Sequence, residues 1–160
     1  MNPLAWLISL ALPACGFSAA DGLPPPRPMD VAHLVRPASP NTALAAPPGF
    51  VPVPDVVTPA YNVPADRLFA LVQDVAGGEP RTYQAALYPG QLQAHYVVRS
   101  AMLNFPDLVM VQVRTDGPDA SELILYSRSV YGRSDFGVNR KRVEAWLAAL
   151  QKKLPPSSER

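Results

Sequence analysis

The side chains in this sequence best suited to chemistry are arginines, a histidine and a tyrosine spaced two apart along three strand-like runs. A strand puts alternate residues on opposite faces. In 92–100, His95, Val97 and Arg99 therefore share one face, against Leu92, Ala94, Tyr96 and Val98 on the other. In 108–115, Met110, Gln112 and Arg114 oppose Val109, Val111 and Val113. In 123–130, Tyr126, Arg128 and Val130 oppose Leu123, Leu125, Ser127 and Ser129. If the three runs are neighbours, His95, Arg99, Gln112, Arg114, Tyr126 and Arg128 line one basic, hydrogen-bonding surface. Arginine offers a planar fork matched to carboxylate or phosphate, so the chemistry expected there is anion binding, with no catalytic residue assigned. The competing account is a solvated face whose arginines pair with Asp107, Asp119, Asp135 or Glu144, since antiparallel sheets commonly leave one face wet.

A second concentration of polar residues is LYSRSVYGRSDFGVNRKRVEAWLAAL, residues 125–150. Gly132 and Gly137 permit a sharp strand-to-helix connection, Asp135 is placed to cap the helix, and Arg128 or Arg140 can pair with Asp135 to lock the turn. Asn139 and Arg142 fall at the same turn, where polar side chains suit a structural role or, with Arg128, ligand binding. GRSDFG resembles a nucleophile elbow, but its spacing is off by one residue. A hydrolase of Ser134, Asp135 and His95 would require those side chains to converge. There is no glycine-rich phosphate loop, no paired-cysteine metal motif and no zincin helix, and His33 and His95 sit in different regions, so neither metal nor cofactor is expected. Arg140, Lys141 and Arg142 read as a charged helix face. With fourteen basic and thirteen acidic residues the net charge is +1, which provides no field for nucleic acid.

The elements that must position these residues follow from periodicity. Residues 55–63 are β-branched and aromatic, with Pro59 restricting them to an edge or bulge. Pro64 suits a first helical turn, Leu68, Phe69, Val72 and Val75 recur at helical spacing, and Gly77 and Gly78 stop the helix. Strands are predicted over 81–88, 92–100, 108–115 and 123–130, joined by Pro89 and Gly90 and by Asp116, Gly117, Pro118 and Asp119. A closing helix over 136–154 carries Val143, Trp146, Leu147, Leu150 and Leu154 on one face and ends at Pro155. The predicted class is α+β: a two-layer sandwich in which an antiparallel meander has two helices on one face, in the order strand, helix, four strands, helix. That order is similar to TATA-binding-protein-like and helix-grip architectures.

The stretch from Ser127 to Leu150 also resembles the signature of a largely bacterial family, domain of unknown function 1499. The resemblance continues through RPASPNTALAAPPGF at 36–50 and YVVRSAMLNFPDLV at 96–109. It implies an envelope protein and brings no agreed activity. Many members carry cysteines around the SPN element, where Arg36 and Thr42 stand here, so no disulfide or metal role carries over. Many also have an acidic pair where this chain has Asp107 followed by Leu108, so no paired-carboxylate mechanism carries over either.

At the N-terminus, residues 4–12 (LAWLISLAL) are an apolar run of nine. That is about half of the ~20 residues a membrane span needs, which favours a signal peptide over residues 1–20. The following Leu12, Pro13, Ala14, Cys15 and Gly16 resemble a lipobox, predicting lipidation of Cys15, the sole cysteine, and a membrane anchor through it. The alternative is cleavage after Ala20 and a soluble exported chain. Twelve of the twenty prolines lie in the first 54 residues, and 21–50 are expected to be an extended tether. The folded domain is expected over 51–154, with 155–160 a loose tail. The functional expectation is a periplasmic, lipid-anchored binding module for an anionic small molecule, lipid or cell-wall component. A protein-interaction or scaffolding role in the envelope is the alternative.

Overall fold

The computed structural model describes residue 23 and residues 26–155. Cys15, Ala20 and the predicted signal peptide lie outside the described residues, as does the tail beyond Pro155. The elements are β1 (Thr42–Ala46), β2 (Val56–Val57), α1 (Ala65–Gly78), β3 (Thr82–Tyr88), β4 (Gln93–Arg99), β5 (Pro106–Thr115), β6 (Ser121–Ser129) and α2 (Val138–Lys153). Short 3-10 turns occupy Val31–His33 and Pro89–Gln91. They form an α+β sandwich: one sheet in the order β2-β1-β6-β5-β4-β3, with both helices on one face. No helix among the described residues is long and apolar enough to cross a membrane.

The meander β3 to β6 is antiparallel throughout, with register pairs such as Val97↔Leu108 and Leu108↔Arg128. Alternation along it buries Ala94, Tyr96, Val109, Val111, Leu123 and Leu125 against the helices. From α1 the core receives Leu68, Phe69, Val72 and Val75, four positions whose spacing makes one stripe of a 3.6-residue helix. Val143, Trp146 and Leu150 do the same from α2, and Trp146 meets the Tyr96 ring edge-on at 5.7 Å.

Two expectations need correction. Residues 42–46, expected within the tether, form β1, which pairs with β6 on one side and, in parallel, with β2 on the other. Ala43, Leu44, Ala45 and Ala46 are fully buried, so the folded domain begins before residue 51 and the sheet has six strands where five were expected. The expected first strand shrinks to Val56–Val57 plus an isolated bridge between Tyr61 and Ser121. Pro59 lacks an N–H and ends the pairing, as a proline at an edge does.

The helix-free face is also not bare. Val31, Leu44, Ala46, Phe50, Met110, Ile124 and Tyr126 form a second, smaller apolar cluster there, joined by Met29 and Leu34. Residues 26–34 thus cross the sheet as a strap. Gln93, fully buried, holds it at two points: its Oε1 accepts from the Met29 N–H (2.7 Å) and its Nε2 donates to the Met29 carbonyl (2.9 Å). The Tyr88 hydroxyl donates to the Pro26 carbonyl at 3.0 Å. A side-chain amide presents a donor and an acceptor side by side, as a strand's backbone does, so Gln93 substitutes for a strand that is not there.

Candidate functional site

Strand register brings His95, Arg99, Gln112, Arg114, Tyr126 and Arg128 onto the helix-free face, but the structure gives them different surroundings. Arg99 is buried and donates to the Asn104 carbonyl, bracing the loop between β4 and β5. Arg114 pairs with Glu122 at 2.8 Å and lies over the Phe50 ring at 5.8 Å. Gln112 joins the Gln93 amide at 3.2 Å. Arg128 is half-buried and its side chain, among the described residues, has neither a hydrogen bond nor an ion pair.

Arg128, Tyr126 and His95 line a groove of about 810 Å³ between the sheet and the strap, otherwise walled mainly by apolar side chains such as Met29, Val97, Leu108 and Met110. The Tyr126 hydroxyl is buried beside Thr42 without a hydrogen bond of normal geometry. Burial pushes its pKa up, against the opposing pull of the Arg128 and Arg36 charges, so it is a neutral O–H donor. Burial likewise lowers the pKa of His95. Its Nε2 lies 2.8 Å from Gln93 Oε1, which can only accept, so the neutral ring carries its proton on Nε2. The groove is therefore walled mainly by apolar side chains, with the Arg128 cation at the β6 edge and a second cation, the exposed Arg27, on the strap.

The signature turn is built differently. Asn139 sits on the apolar face of α2, one turn before Val143, and is fully buried. The two hydrogens of its Nδ2 are shared among the Asn41 carbonyl (3.0 Å), Ser129 Oγ (2.9 Å) and Asp135 Oδ2 (2.7 Å). Its Oδ1 accepts from Ser127 Oγ (2.5 Å) and Arg142 Nη1 (2.9 Å). Arg142 continues to Ser127 Oγ at 3.0 Å and to Asp107 Oδ2 at 2.7 Å, on the helix side of β5. Asn41, through Nδ2, reaches the Gly132 carbonyl at 2.7 Å. The SPN element, the end of β6 and the start of α2 are thus tied together by one internally satisfied network, and Asn139 and Arg142 have their hydrogen-bonding capacity filled from within.

α2 begins at Val138, two residues later than expected, with Gly137 at the cap position. Asp135 still serves its exposed amides from two residues further out, accepting from the Gly137 N–H (3.0 Å) and the Asn139 N–H (2.8 Å). Gly137 sits at φ 78°, the left-handed region where a side chain would be strained. The pairing expected between Asp135 and Arg128 or Arg140 is absent: Arg140 pairs with Glu144 one turn on, and Asn139 takes the carboxylate. Nor do Ser134, Asp135 and His95 converge. His95 bonds with Gln93 and meets the Tyr88 ring, whereas Ser134 Oγ accepts from the Phe136 N–H in the exposed turn.

Burial alone would raise the Asp135 pKa, but the Asn139 and Gly137 bonds outweigh it and hold the carboxyl below its ordinary 3.8. A lowered folded-state pKa means stability fully present above the unfolded value and lost as pH falls through the folded one. Asp135→Asn is therefore expected to cost about 1 kcal/mol at pH 7, with the gap to the native chain closing below about pH 4. Urea unfolding at pH 7 and pH 3 measures it; an undiminished gap at pH 3 would refute the assignment.

Sequence reasoning missed the strap, Gln93 and Asn41. A glutamine at the Gln93 position within a buried strand is the signal that was available for the first two, because a fully buried amide needs partners for its donors and its acceptor.

No curated protein matches the chain. Among solved structures, the di-domain ARO/CYC BexL from the BE-7585A biosynthetic pathway is similar, with a TM-score of 0.44 and 16% identity, over 59% of this chain and 43% of that one. This chain thus matches less than half the length of that protein. The profile of the family described as "Protein of unknown function (DUF1499)" matches residues 34–150, from the end of the strap to the last buried leucine of α2. That stretch includes β1 and the whole Asn41–Asn139–Arg142 network, and the chain belongs to the DUF1499 family.

Proposed function

We propose that the protein is a non-catalytic binding module for an anionic amphiphile, which it holds in the groove between strap and sheet. The observation that carries this is Arg128: a half-buried guanidinium without a counterion among the described residues, set in the wall of a mainly apolar groove that the exposed Arg27 also lines. Apolar concave sites with few convergent polar groups are where small ligands bind, and an unpaired, half-desolvated cation there favours an anion. Of the residues expected to bind ligand, this reading keeps Arg128 and Tyr126. It moves Arg99, Arg114, Asn139 and Arg142 to structural roles because each has internal partners.

Native mass spectrometry of the full chain gently purified from its source, beside Arg128→Ala, tests the reading. The expected result is a co-purifying anionic mass that the variant loses while its thermal unfolding stays within about 1 °C, since Arg128 supports no other residue. A native chain free of such a mass, and indifferent to added anionic amphiphiles, would refute it.

We further propose a cell-envelope location, with a lipid anchor on Cys15 after removal of the preceding residues. The support is the apolar run at 4–12 ending in a small-residue stretch with the sole cysteine. Metabolic labelling with a radioactive fatty acid should tag the native chain and not Cys15→Ala; equal labelling of both would remove the anchor.

A further inference from the structure

The groove has a direction. Its head is at β6, where Arg128 faces Thr42 on β1 and Leu108 on β5 in register. From there the floor runs across the strands through Leu108 and Val97 to Gln84 and Ala85 at the bulge of β3. Nearby carboxylates are already used: Asp55 by Arg36 and the Leu44 N–H, Glu122 by Arg114, and Asp107 by Arg142 on the opposite face. The Tyr126 hydroxyl, one register row away, is the other polar atom at this end in need of a partner. Beyond it the floor is Leu108, Met110 and Val97, and the ring of His95 spends its one N–H on Gln93.

Dimensions narrow the occupant. From β6 to β3 there are three inter-strand steps, a run of about 14 Å. Carbon–carbon bonds of about 1.5 Å zigzag to about 1.25 Å per atom, so an extended chain of about eleven carbons spans it. Across the groove, the Arg128 and Tyr126 rows lie two residues apart along the strands, about 7 Å. With apolar carbons in contact at about 3.5–4.0 Å, the furrow between these two floor rows seats one extended chain. At the head, the Arg128 fork and the Tyr126 hydroxyl match the single charge and two oxygens of a carboxylate, whereas the second charge of a phosphate calls for a second cation. Arg27, the other cation lining the groove, follows Pro26, which Tyr88 holds at β3.

Resting on the binding-module reading above, we infer that the ligand is a single-chain carboxylate amphiphile of about ten to twelve carbons, lying across the strands with its head at Arg128 and Tyr126 and its tail over β3.

The test is titration calorimetry of the full chain with octanoate, dodecanoate, hexadecanoate, dodecanol and dodecyl phosphate. Dodecanoate should bind at least tenfold tighter than octanoate, because each buried methylene adds to the hydrophobic gain. Hexadecanoate should be no tighter than dodecanoate, its extra carbons passing beyond the groove. Arg128→Ala should weaken dodecanoate about tenfold or more and leave dodecanol within twofold. Leu108→Trp, which fills the floor at a partly exposed position, should block both, with folding checked for each variant by thermal unfolding. Arg128-dependent binding that ignores chain length, or that prefers dodecyl phosphate, would overturn the single-chain carboxylate and leave the anion reading standing. Loss of dodecanoate in Arg27→Ala but not Arg128→Ala would overturn the placement of the head. Failure of every compound to bind would overturn both.

Discussion

Asn139→Ala is expected to destabilise the domain by about 3–5 kcal/mol, the range for breaking a buried polar network, and to lower its thermal midpoint by at least about 10 °C. The size follows from what truncation leaves behind. Asn139 is fully buried and its amide touches five partners: the Asn41 carbonyl, Ser129 and Asp135 on the donor side, Ser127 and Arg142 on the acceptor side. Removing it costs little as lost attraction. The larger cost is the unsatisfied groups it leaves, each about 1–3 kcal/mol where water cannot enter. The orientation of the amide is forced, because a carbonyl and a carboxylate can only accept and a guanidinium can only donate. Asn139→Asp, nearly identical in shape, is therefore expected to be no better than alanine at pH 7: it sets an oxygen where Nδ2 stands 2.7 Å from the Asp135 carboxylate. Below about pH 5 a shared proton between the two carboxyls should restore part of the loss. Circular dichroism melts at pH 7 and pH 5 distinguish these outcomes. An Asp variant as stable as the native chain at pH 7 would contradict the network as described.

The second large effect is at the Arg142–Asp107 pair, 2.7 Å apart with both side chains only 12% exposed. Burying an ion pair is often no better than burying apolar groups of the same shape, yet removing one partner strands the other charge. Arg142→Ala and Asp107→Ala should therefore each cost about 3–5 kcal/mol. The double variant should cost clearly less than the sum, with a coupling of about 1.5 kcal/mol or more, because it removes both charges together. Urea denaturation of the four species closes the cycle. Strict additivity would mean that the two charges are solvated independently and that the pair does not hold β5 to α2. Neither loss should be specific to ligand affinity, and this separates Arg142 from Arg128.

What the sequence revealed and what it concealed can be traced to particular residues. The meander and both helices were legible because Val109, Val111 and Val113, or Val143, Trp146 and Leu150, repeat with the periods of their elements. The same alternation placed Arg128 and Tyr126 together on the helix-free face. β1 was not legible, because Ala43 to Ala46 are buried on both sides of the sheet and show no alternation, and they stand among Pro40, Pro47 and Pro48. Nor does a strand pattern tell an arginine that pairs, such as Arg114, from one that does not. That distinction depends on Glu122 lying opposite it in register, a property of pairing and not of sequence spacing. Asn139 and Arg142 stood out by type, but their partners Asn41 and Asp107 lie 98 and 35 residues away in the chain, contacts no local pattern can show.

The place of β1 in the sheet also orders events in time. Its residue Ala43 pairs with Ser127, and Asn41 joins Asn139, so the first strand of the domain has its partners in the last third of the chain. The hairpins of β3 to β6 close over short loops and can form early, whereas β1 waits for a closure spanning more than eighty residues. Until β6 is complete, Leu44 and its alanine neighbours have nowhere to hide from water. A nascent chain halted before Ser127 would present this short apolar strand unpaired, as a natural handle for a chaperone.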